Sequence, residues 1–191
     1  MKNRRHYETK PQRGAAIIEF AFVAIAFFTL LLGIIEFGRF MYLWNTVQEV
    51  TRIAARQAAV SDFSAASIEA IQRTAVFNAG SSGAANLPAG GEITFQRVNI
   101  QYLLSSDVND VVEDMPANPA DNIAACLDAD RRDDGCIRYV KASICQQSGQ
   151  GNNRTCNPVP YVPMIGLFTF LGINIPMSTV VMPAESLGYV P

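Results

Sequence analysis

Arg13-Gly14-Ala15-Ala16-Ile17-Ile18-Glu19-Phe20 opens an apolar stretch that runs on through Phe37, and its reading decides the fold. Residues 20–35 contain no charged side chain. As a helix, residues 15–37 would extend about 35 Å, enough to cross a hydrocarbon core of about 30 Å. A single carboxylate, Glu19, stands at the mouth of this stretch. An acid at the edge of a lipid-embedded helix is costly and therefore points to a function.

Outward from this stretch, the chain is asymmetric in charge. The leader, residues 1–14, carries Lys2, Arg4, Arg5, Lys10 and Arg13 against Glu8, a net charge of about +4. The whole chain is −2, so the remainder is acidic. That balance leaves no basic patch outside the leader and argues against nucleic acid as a partner. The leader resembles the start of a secretory signal, but the apolar stretch is too long for one. No small-residue cleavage site follows it either. Arg39-Phe40-Met41-Tyr42-Leu43-Trp44 follows instead, and its aromatic residues suit a membrane interface. The positive-inside rule keeps the leader cytoplasmic and sends the C-terminal bulk across the membrane.

The helical pattern continues past the membrane. Phe40, Leu43, Val47, Val50, Ala54 and Ala58 recur at spacings of three and four, one face of an amphipathic helix. Arg39, Gln48, Glu49, Arg52 and Arg56 fall largely off that face. No proline interrupts residues 15–60, so one continuous helix of about 69 Å is expected. A second helix is expected over residues 65–78 and a strand over 92–103, irregular near Arg97. A short helix over 119–128 and a strand over 137–144 come next. Residues 146–160 read as a polar loop, 164–171 as an apolar segment too short to span a membrane, and 173–182 as a strand with Pro176 at an edge or bulge. The fold class is α+β: a long N-terminal membrane-spanning helix extending into a small periplasmic domain with an antiparallel sheet. The expected division is leader 1–14, transmembrane helix 15–38, amphipathic extension 39–60 and periplasmic α+β domain 61–191.

Cys126, Cys136, Cys145 and Cys156 all lie in the translocated part. An even count in an oxidising compartment reads as two disulfides. Three connectivities are open, and nearest-neighbour pairing, Cys126 with Cys136 and Cys145 with Cys156, closes two short loops. Zinc is disfavoured, because no C-x-x-C pair exists and His6, in the leader, is the sole histidine. Asp128-Ala129-Asp130-Arg131-Arg132-Asp133-Asp134-Gly135 suggests calcium, but Arg132 and Asp133 occupy the fifth and sixth positions of an EF-hand register. The two arginines make it a self-neutralising loop. With no histidine outside the leader, no phosphate loop and no G-x-S-x-G, histidine-dependent hydrolysis has no candidate residues. The expectation is a protein that is not an enzyme, with no catalytic residue, metal or cofactor.

Glu19 has two readings from spacing alone. It is either a carboxylate favoured by the helix dipole or, after cleavage behind Gly14, the partner of a new Ala15 ammonium. Gly14-Ala15-Ala16-Ile17-Ile18-Glu19-Phe20 resembles the class III signal of type IV prepilins and pseudopilins. More narrowly, this segment is similar to the TadE-like family of the tight-adherence (Flp, type IVb) pilus system. So are Gly33-Ile34-Ile35-Glu36-Phe37-Gly38-Arg39 and Val47-Gln48-Glu49-Val50-Thr51-Arg52-Ile53-Ala54-Ala55-Arg56. The resemblance covers residues 13–60 and is weak beyond, at Met182-Pro183-Ala184-Glu185. It implies cleavage between Gly14 and Ala15 by a prepilin peptidase and an assembly role for Glu19 and Phe20. The implied partners are that peptidase, other minor pilins, the inner-membrane pilus platform and the lipid bilayer. The implied place is the bacterial inner membrane, with passage into the pilus on assembly. Phe20 stands where such pilins often have tyrosine, which excludes a hydroxyl role. The soluble part is large for a shaft subunit and favours a minor, priming or tip role. Glu36, the second acid of the stretch, reads as a snorkelling interfacial residue or a partner of Arg39. The competing reading is an uncleaved, signal-anchored periplasmic binding module or adhesin in which Glu19 is idle.

Overall fold

The computed structural model describes residues 13–78, 80, 82–148 and 155–189. Leader residues 1–12 and residues 149–154 of the expected polar loop lie outside the described residues. The chain divides into two units, Met1–Gly38 and Arg39–Pro191. Helix α1 is Arg13–Val60, a proline-free run rich in alanine, leucine and other good helix formers. In the first unit its apolar side chains point outward, and none of its most apolar window is buried.

The second unit builds its core on the rest of α1. Leu43, Val47, Val50, Ala54 and Ala58, the stripe read from the spacing, are all buried, with Phe40 partly so. Opposite them stand Val98, Val140, Ala142 and Ile144 of a three-stranded antiparallel sheet. Its order is β3 (Val98–Leu103), β4 (Tyr139–Ile144) and β9 (Thr179–Pro183). Val98 pairs with Ile144 and Tyr102 with Val140, while Val140 pairs in turn with Met182. Thr51, fully buried on α1, meets Ser178 hydroxyl to hydroxyl at 2.7 Å just before β9. The architecture is α+β.

Helix α2 (Ala65–Ala75) starts where Ser64 accepts a hydrogen bond from the Ser67 amide, satisfying an orphan donor of its first turn. It stops three residues short of the expected end, with Phe77 in the left-handed region at φ 61°. Arg73, in its last turn, pairs with Glu69, donates to the Gly83 carbonyl and stacks over Phe95. Helix α3 (Pro119–Leu127) is capped by Asn118, which accepts from the Asp121 amide at 2.9 Å, and it opens with proline, whose fixed φ suits the first turn.

Several strand readings need correction. The expected strand over 92–103 is two strands, β2 (Gly90–Thr94) and β3, separated by a 3-10 turn at Phe95–Arg97. There the Phe95 amide turns away to the Ala85 carbonyl. Strand β1 (Asn86–Leu87), absent from the sequence reading, pairs with β2. The expected polar loop contains β5 (Gln146–Ser148), β6 (Thr155–Asn157) and β7 (Val159–Pro160). The expected strand over 173–182 is β8 (Asn174–Ile175), paired with β7, and β9, paired with β4. Pro176 lies between them, where a residue without an N–H ends one ladder before the next begins. The apolar segment 164–171 contains a 3-10 helix, Gly166–Leu171, closed by Gly172 at φ 53°.

The C-terminal tail closes helix α1. The last carbonyls of a helix have no partner within it. Here Ala59 accepts from the amides of Glu185 and Leu187, and Val60 accepts from the Gly188 amide at 2.8 Å and from the Ser186 hydroxyl. Gly188 has φ +78°, and a Cβ there would stand 2.6 Å from the Asp62 backbone nitrogen. Gly188→Ala should therefore destabilise the full chain by about 1–3 kcal/mol, read as a lower thermal midpoint in detergent. An unchanged midpoint would show that the tail does not hold the helix end.

Candidate functional site at the anchor helix and its boundary

Gly14 and Ala15 occupy the start of α1, with Glu19 in its second turn. Ala15 and Glu19 are four residues apart, which puts them on one helix face, a turn from each other. Phe20 is 74% exposed, and Ile17, Ile18, Phe22, Val23, Phe27 and Phe28 are exposed with it. Contiguous apolar surface of this extent is not left to water. A Cβ on Gly14 would meet nothing within 4 Å, and glycine inside a helix is disfavoured by about 1 kcal/mol against alanine. Packing among the described residues therefore gives no reason for glycine at this position.

The apolar run ends at Gly38, and the next residue, Arg39, is built into the soluble unit. Its guanidinium forms a two-pronged bond with Glu92, at 2.9 Å to Oε1 and 2.8 Å to Oε2. It also donates to the carbonyls of Ala89 and Val162 and lies over the Tyr161 ring. The side chains are 11% and 4% exposed for Arg39 and Glu92. Burial is the largest single influence on the Arg39 pKa and lowers it, but the Glu92 carboxylate and Tyr161 together outweigh burial and the net shift is upward. Phe40 packs edge-on against both Trp44 and Tyr161. The expectation that Arg39 lies off the buried face is thus corrected. It joins the β1–β2 turn and the segment after β7 to the helix. Glu36 is buried, at 7% exposure.

Residues 14–56 match the TadE-like protein family. The matched segment contains Glu19, the apolar helix, Arg39 and most of the buried stripe, and stops before the strands of the soluble unit. No curated protein and no solved structure matches the chain. The TadE-like segment coincides with the one helix among the described residues that is long and apolar enough to cross a membrane. Together they mark a membrane-anchored, single-pass protein.

The remaining sequence-selected residues lie in the soluble unit. Cys126 is joined to Cys136 and Cys145 to Cys156. The first bridge closes the acidic loop after α3, where Arg131 reaches Asp121 at 3.3 Å and Arg138 reaches Asp133 at 3.7 Å. The hydrogen bond from Arg131 holds the Asp121 carboxyl below its usual range. The second bridge ties the end of β4 to β6. Arginine consumes acidic charge in the first loop, and the geometry there is that of a structural staple.

What sequence reasoning missed is the Arg39–Glu92 pair. A lone arginine directly after an apolar run, followed by an aromatic residue, is a weak signal of it, and Glu92 is 53 residues away. Glu92→Gln should destabilise the detergent-solubilised protein by about 3–5 kcal/mol, because it leaves a buried guanidinium without its counter-charge. The double variant Arg39→Met/Glu92→Leu should recover most of that loss. Equal loss in both variants would mean that charge pairing is not what the site requires.

Proposed function

We propose that this chain is a minor pilin or pseudopilin, processed after Gly14 and taking part in assembly of a tight-adherence, type IVb pilus. The observation that carries the reading is an uncovered apolar helix with Ala15 and Glu19 one turn apart on it, inside the TadE-like segment. The basic leader holds the N-terminus in the cytoplasm and the disulfide-bearing domain lies in the periplasm. A prepilin peptidase in the bacterial inner membrane adds water across the Gly14–Ala15 peptide bond. The leader leaves with the Gly14 carboxylate, and Ala15 keeps the new α-ammonium. Glu19 pairs with that ammonium, on its own chain or a neighbour. A lone carboxylate in mid-bilayer costs about 2.5–3.5 kcal/mol, and pairing turns that cost into a preference for one packing register. The processed helix then leaves the bilayer sideways into a bundle of like helices, alongside other minor pilins and the membrane platform. The role is structural rather than catalytic.

The second reading, an uncleaved anchored binding module or adhesin, makes Glu19 dispensable. The two part at Glu19→Ala in cells that build the pilus. The proposal expects normal leader removal, by mass of the purified protein, together with a severe fall in pili counted by electron microscopy. Undiminished pili with Glu19→Ala would overturn it in favour of the binding module.

A further inference from the structure

The chain has a second exposed apolar feature besides the anchor helix. Residues 155–184 contain no charged side chain. Within them, the segment from Val162 to Gly172 is a closed loop. Its neck is the short β7–β8 ladder together with the Tyr161 amide bonded to the Ile173 carbonyl at 2.9 Å. The loop carries Met164 at 75% exposure, Phe170 at 79% and Val162 at 60%. Its sequence, Val-Pro-Met-Ile-Gly-Leu-Phe-Thr-Phe-Leu-Gly, is as apolar as a core strand. An exposed patch of this kind marks a contact with something apolar.

What covers it follows from where its neck is held. Arg39 donates to the Val162 carbonyl at 2.8 Å and lies over the Tyr161 ring, and Phe40 packs on Tyr161. Arg39 is one peptide bond beyond Gly38, where the apolar unit ends. If residues 15–38 are in lipid, the neck of the loop is at the lipid–water boundary by chain connectivity alone. Tyr42 and Trp44, both exposed, fall in the same turn or two of helix, the residue types that settle at this boundary. The loop is too short to span but suited to lie in the interface, where apolar side chains sink about 5–10 Å between headgroups and acyl chains.

We propose that the Val162–Gly172 loop inserts into the outer face of the bilayer as a second, interfacial anchor. It would fix the soluble domain against the membrane until the helix is extracted. This rests on the reading of residues 15–38 as a membrane span. Full-length protein reconstituted in phosphatidylethanolamine/phosphatidylglycerol vesicles provides the test. In a Trp44→Phe background, single tryptophans are placed by Phe170→Trp, by Phe28→Trp within the span, and by Leu127→Trp. Leu127 is exposed at the end of α3, the helix whose start lies with Asp62 beyond the far end of α1.

Lipids brominated near the headgroup end of the acyl chain should remove most of the Phe170→Trp emission and shift what remains to the blue, with weaker quenching by bromine near the chain terminus. Phe28→Trp should show the opposite depth preference, and Leu127→Trp no quenching. Quenching at 28 with none at 170 overturns the interfacial anchor while the span stands. A blue-shifted but unquenched tryptophan at 170 also overturns it, because the loop is then covered by protein. No quenching at 28 removes the span, and this inference with it.

Discussion

An apolar helix that its own chain does not cover is the constraint from which the rest follows. The window is apolar, none of it is buried, and it is headed by a glycine that packing among the described residues does not require and an acid that is costly in lipid. Apolar surface is driven out of water in proportion to its area, so this helix requires lipid first or other helices. The proposed pilin-like life history would supply both in sequence. Under that proposal the carboxylate would separate one arrangement of helices from many nearly equal ones.

The soluble unit is organised around the other half of the same helix. Its buried stripe forms one wall of the core and the three-stranded sheet forms the other. Both ends of that half are fastened by groups distant in sequence. At the start, Arg39 gathers Glu92, Ala89 and Val162, and at the end residues 185–188 return to take the final carbonyls. A buried guanidinium is tolerated only when its donors are nearly all used, and Arg39 meets that condition. The two disulfides staple the parts with least core, the acidic loop and the β5–β6 ribbon.

Local pattern carried the helices and the central strands in the sequence. Spacings of three and four from Phe40 to Ala58 mark the side that is buried. The strands went wrong where a ladder is only two or three residues long, as in β1, β5, β6, β7 and β8, because alternation needs more length than that to register. The split of β8 from β9 turns on Pro176, a residue read as an edge or bulge marker and acting as a break. Gly14, Ala15, Glu19 and Phe20 lie within one short segment of sequence and so are legible as a motif. The Arg39–Glu92 pair and the tail on α1 are products of tertiary folding, joining residues that no local window contains.

The central claim is that the chain works as a processed pilin, with Glu19 set against a new N-terminus. It is tested most directly by the intact mass of the protein taken from cells with an active prepilin peptidase. The account predicts a chain that begins at Ala15, with both disulfides closed. A mature protein that still begins at Met1 would contradict it.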